Sequence, residues 1–156
     1  VLKQMYDVAS LIQEMDDFEL VKETYSRTLK TEIAYRGEEL TEKDCLIDTI
    51  RTAQSIASHG KLNGDDYMNL QEGARGLGSF IFSENFNPEV AAKRAPIVMY
   101  FASCLLEGES FEKYDGEPQA LRTCTHTEFK AFNFLRKLSP EAYYYICKTD
   151  EILKTI

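Results

Sequence analysis

Apolar residues recur at steps of three and four along most of the chain, the spacing that lines side chains up on one face of an α-helix. Val1, Met5, Val8, Ile12 and Met15 make the first such stripe. No Ser, Thr, Asp or Asn precedes it as an N-cap, so this reading expects a helix continuing upstream and a chain that is a fragment of a longer protein. Asp17 caps a second helix bearing Phe18, Val21, Tyr25, Leu29 and Ile33, which Gly37 ends. Thr41-Glu-Lys-Asp44 has the form of a capping box and opens a third, with Leu46, Ile50, Ala53 and Ala57 on one face and Gly60 near its close. After the Asn63-Gly64 turn, the spacing of Leu70, Ala74, Leu77 and Ile81 predicts a helix over 70–81. Asn87-Pro88 places an N-cap before a proline at the first helical position. The following stripe, Ala91, Ala95, Val98, Ala102 and Leu105, is rich in alanine and predicts a central helix closely approached by its neighbours.

Between Gly108 and Cys124 the periodicity lapses, with Gly108, Gly116 and Pro118 as breakers. Thr125-His-Thr-Glu128 then reads as another capping box before Phe132, Leu135 and Leu138, and Ser139-Pro140-Glu141 starts a last helix through Tyr143 to Ile152. No segment alternates cleanly with period two, so little or no sheet is expected. The pattern predicts an all-α fold, an irregular bundle of six or seven helices. Its expected organisation is a bundle core over 1–107 that begins mid-helix, a linker loop over 108–124, and a C-terminal helical pair over 125–156 packed on the core.

Composition narrows the function. The 156 residues suit one domain with one core, and 44% hydrophobic content sets the chain apart from disordered sequences. Acidic residues outnumber basic ones 26 to 18, for a net charge of −8. Neither half is basic, which disfavours nucleic-acid binding through a broad positive face. The longest nearly apolar run, Ala95 to Leu106, is far short of the ~20 residues that span a bilayer. With no secretion signal and no short-spaced pair among Cys45, Cys104, Cys124 and Cys147, the chain reads as cytoplasmic, with reduced thiols and no membrane partner.

Several motifs suggest chemistry that their context does not support. Gly73-Ala-Arg-Gly76-Leu-Gly78 resembles a phosphate loop, yet it lies inside a helical pattern without a preceding strand. Gly78-Ser79 has the look of a polymerase-type nucleotidyltransferase entry, but the chain holds no Asp-x-Asp to carry the metal. Cys124, His126 and Glu128 are three ligand-type residues where a structural zinc site needs four, so no metal site is assigned. His126, Lys130, Asn133 and Lys137, with Arg136 and the tyrosines 143–145, form either an RNA-contacting face or a solvated helix edge over a tyrosine-lined core. Lys3 and Asp7, at i and i+4, form a surface ion pair or aim a base and a carboxylate at an active-site cleft.

The stretch Lys3-Gln-Met-Tyr-Asp7-Val-Ala-Ser-Leu-Ile12 resembles the Lys/Arg-Asp-x-Tyr-Asp-Leu segment of the AbiEii/AbiGii-type nucleotidyltransferases. Gln71-Glu-Gly-Ala-Arg-Gly, Phe80-Ile-Phe82 and Leu138-Ser-Pro-Glu-Ala-Tyr-Tyr144 are similar to that family's helical half. The resemblance implies toxins of bacterial toxin–antitoxin and phage abortive-infection systems. In these an N-terminal domain of DNA-polymerase-β type, with Gly-Ser and Asp-x-Asp, uses Mg²⁺ and an NTP, in some members on tRNA. It implies assisting roles for Lys3 and Asp7, with Gln4 where the family has an acid, and an antitoxin protein as a possible partner. It further implies that these 156 residues alone, without cofactor, are catalytically inactive. The alternative is a non-catalytic helical interaction module; a weaker one is a small-molecule-binding bundle, which a large apolar cavity would favour.

Overall fold

A computed structural model describes residues 1–37, 39–116 and 124–154. Among them the chain forms seven α-helices and one 3₁₀ turn, with no strand. In order these are α1 (Leu2–Glu14), α2 (Phe18–Arg36), α3 (Glu42–Ala57), α4 (Tyr67–Leu77), α5 (Pro88–Glu107), a 3₁₀ turn (Thr127–Phe132), α6 (Leu135–Leu138) and α7 (Pro140–Ile152). The fold is an all-α irregular bundle, as the periodicity predicts.

Local chemistry sets most of the helix ends. Asp17 accepts from the Leu20 N–H, and Asn87 from those of Glu89 and Val90. Both halves of the Thr41–Asp44 box are formed, and Ser139 accepts from Ala142. Such caps satisfy backbone donors that the first helical turn leaves free, worth about 1 kcal/mol each. Gly37 closes α2 at φ +66°, in the left-handed region where glycine avoids a Cβ clash.

α5 is the axis of the bundle. Ala91, Ala92, Ala95 and Ala102 are all nearly fully buried, and α1, α3, α4 and α7 pack around this helix. Small side chains let the neighbouring backbones approach, so larger groups such as Ile12, Ile50, Met99 and Ile146 fill the spaces between. One cluster of buried side chains runs from Leu2 through Leu153. α2 is the exception: none of its residues is buried, and of its apolar stripe Phe18, Val21 and Tyr25 pack half-buried against the core.

Three elements differ from the periodicity. The buried face of α1 is Leu2, Met5, Ala9 and Ile12, whereas Val1 and Val8 stay exposed. Both stripes share Met5 and Ile12, and Ala9 wins over Val8 because α1 lies close against the alanine-rich α5. α4 ends at Leu77, and Ile81 follows in a turn whose N–H donates to the Leu77 carbonyl. The segment from Thr127 is a 3₁₀ turn without a side-chain cap, because Thr125 bonds Asp150 and not its own helix start.

Residues 109–116 lie across the bundle in non-helical form. Phe111 packs against Phe18, Tyr100, Phe101 and Tyr145. Tyr100 Oη accepts from the Glu112 N–H, Tyr145 Oη from the Tyr114 N–H, and Tyr144 Oη donates to the Glu112 carbonyl. Tyrosine serves here because one ring supplies both apolar area and a hydroxyl for an otherwise unpaired loop backbone. Residues 117–123, which include Pro118, lie outside the described residues.

Candidate functional site

α1 divides its residues among three environments. Leu2, Met5, Ala9 and Ile12 go to the core. Lys3 and Asp7, one helical turn apart, meet outside it, Nζ to Oδ2 at 2.7 Å, with side chains 63% and 50% exposed. Gln4 and Val8 turn towards a cleft of about 290 Å³ between α1, α2, α3 and α5.

That cleft is mostly apolar. Met5, Leu46, Val98 and Phe101 are among its lining residues, and Asp48, Thr49, Thr52 and Tyr25 bring polar groups to it. Burial, helped by the proximity of Cys45 and Glu42, pushes the Tyr25 hydroxyl up to about 12, so it stays neutral and can both donate and accept. The cleft therefore lies beside the Lys3–Asp7 pair on the same helix. Its volume falls at the lower edge of the range for small-molecule pockets, roughly 300–1,000 Å³.

The other motifs resolve into structural roles. Gly73 and Gly76 are interior residues of α4, and a Cβ on Gly73 would stand 3.1 Å from Leu2 Cδ1. Gly73 therefore serves the packing of α4 on α1, Gly76 faces open space inside the same helix, and the Ser79 hydroxyl donates to the Gly76 carbonyl. His59 takes a positive φ of 53° and shares a 2.9 Å hydrogen bond between Nδ1 and Tyr67 Oη. Tyr143, Tyr144 and Tyr145 are buried, so they are core residues and not a platform for stacked bases, while Lys130, Asn133, Arg136 and Lys137 are exposed.

The most elaborate polar cluster was not visible in the spacing. Asp150, almost wholly buried on α7, accepts at Oδ1 from the His126 N–H (2.8 Å) and ring Nδ1 (2.7 Å). At Oδ2 it accepts from the Thr125 N–H (2.7 Å) and hydroxyl (3.0 Å). Burial alone would raise its pKa. The hydrogen bonds from the His126 and Thr125 backbone and side chains outweigh that and hold the carboxyl below its usual range. Beside this cluster the Cys124 and Cys147 thiols meet. A hydrogen bond between them favours the thiolate at Cys147 and, together with burial, raises the Cys124 thiol. A buried acid demands partners, and that rule is the one signal that could have singled out Asp150.

Among the described residues no group of three or more His, Cys, Asp or Glu side chains is arranged to hold a metal ion. No described helix is long and apolar enough to cross a membrane. No family model, curated protein or solved structure matches the chain.

Proposed function

We propose that this chain is the helical part of a nucleotidyltransferase of the AbiEii/AbiGii toxin type. In this reading a polymerase-β-type domain carries the metal chemistry, and Lys3 and Asp7 assist at its border. The observation that supports it is the state of that pair. The fold makes no use of either side chain: both project outward from a helix whose opposite face is core, and the exposed contact is worth only about 0.2–0.5 kcal/mol. A cation so held can offset charge on a transferring phosphoryl group, and the carboxylate can orient the lysine or a ribose hydroxyl. This reading assigns the metal step to the other domain; among the described residues no group of three or more His, Cys, Asp or Glu side chains is arranged to hold a metal ion.

The test compares the 156-residue chain with the product of the complete reading frame that encodes it, each given Mg²⁺, labelled NTPs and total RNA. Label transfer by the complete product and none by the 156 residues is the expected result; transfer by the 156 residues alone overturns the division of labour.

One observation favours the alternative, a non-catalytic interaction module. Phe80 and Phe82, 70% and 95% exposed, stand on the loop after α4, where a partner protein would bury them. A complete reading frame without Gly-Ser and a following Asp-x-Asp would favour this module.

A further inference from the structure

A second cleft, about 390 Å³, lies on the α3 face away from Lys3 and Asp7, and Arg51, Gln54, Asn63, Glu128, Leu106 and Leu153 help to line it. Its hydrogen bonds have a forced direction. Arginine can only donate, so Asn63 must present Oδ1 to Arg51 Nε, at 3.2 Å. The Asn63 Nδ2 then donates to Gln54 Oε1, at 2.7 Å. The Gln54 amide is thereby oriented, and its Nε2 is buried without a partner. Flipping either amide would set like groups against each other, so the orphaned donor is built into the relay.

A buried N–H group without an acceptor costs free energy that an incoming acceptor would recover. Among the described residues the Arg51 terminal nitrogens have no partner either, which adds cationic donors to the same wall. We infer that this cleft binds a small monocarboxylate with an aliphatic body, its two oxygens taken by Gln54 Nε2 and the Arg51 guanidinium and its hydrocarbon by Leu106 and Leu153. A carboxylate matches a guanidinium with a second donor beside it better than a single carbonyl does. Glu128 lines the same cleft and opposes any anion there, so each further negative charge on a ligand, as in a dicarboxylate or phosphate ester, adds to that cost. The inference does not rest on the transferase reading.

The probe is 4-methylpentanoate, titrated into ¹⁵N-labelled protein with 4-methylpentan-1-ol as its uncharged counterpart. The Gln54 side-chain NH₂ and Arg51 Nε–H resonances should shift saturably with the carboxylate, and the alcohol should bind about tenfold more weakly or worse. Gln54→Glu keeps the acceptor for Asn63 and replaces the orphaned donor with an oxygen, so it should weaken binding by about tenfold or more. Arg51→Gln, at an exposed position, should weaken it too and serves if the first variant fails to fold. Non-saturating shifts, equal binding of the alcohol, or indifference to both substitutions would overturn the assignment.

Discussion

The Asp150 carboxylate and the His126 ring are joined at 2.7 Å, and the same carboxylate takes the backbone N–H groups of Thr125 and His126. A single buried side chain on α7 thus fixes the entry of the segment that returns at Cys124. Asp150→Asn replaces one accepting oxygen with a donor facing two other donors. It should cost on the order of 2–3 kcal/mol in urea unfolding at neutral pH. Because the folded pKa is lowered, this stabilisation is full above the unfolded carboxyl value and is lost as pH falls through the folded value. Unfolding of wild type and variant should therefore converge at strongly acidic pH; a constant gap down to pH 2 would argue against a charged Asp150.

Gly76 decides between a helix and an anion-binding loop. It lies inside α4, a Cβ there would meet nothing within 4 Å, and its φ is not in the left-handed region. Gly76→Ala should raise stability by about 0.5–1 kcal/mol, read as a higher Tm. A loop cradling phosphate would instead lose stability or fold.

Cys104 and Cys147 should separate by reactivity. Cys104 is fully buried, and burial pushes its thiol up to about 12, so it should resist iodoacetamide at pH 8 in the native protein. Cys147 is held as thiolate more readily by the hydrogen bond from Cys124 and should be alkylated before it. Peptide mass mapping over a time course reads the order, and early labelling of Cys104 would contradict the packing of α5.

α2 should open before the rest of the bundle. It has no buried residue, whereas α5 has twelve. Amide exchange at neutral pH should release α2 protons at a much lower opening free energy than those of α5. Equal protection in the two helices would mean that α2 is anchored by contacts not seen here.

Helices were legible because apolar spacing and caps agree: Asp17, Thr41–Asp44, Asn87 and Ser139 each cap the helix they announce. The rotation of α1 was not legible, since Val8 and Ala9 compete for one face and only the proximity of α5 settles it. Thr125 misled because a tertiary acceptor, Asp150, outcompetes a local cap. The Arg51–Asn63–Gln54 relay joins an exposed turn to a buried helix face, a relation that no sequence period encodes. Lys3 and Asp7 stood out by spacing alone, and their contact is as simple as that spacing implies.

The proposed function rests on that pair, so Lys3→Ala and Asp7→Ala in the complete protein test it most directly. Each should leave Tm nearly unchanged, since the exposed pair contributes about 0.2–0.5 kcal/mol. Each should lower Mg²⁺-dependent nucleotide transfer to RNA by about tenfold or more, the effect of losing an assisting charge in the transition state. Transfer at the wild-type rate in both variants, or no transfer by the complete protein with any NTP, would contradict the account.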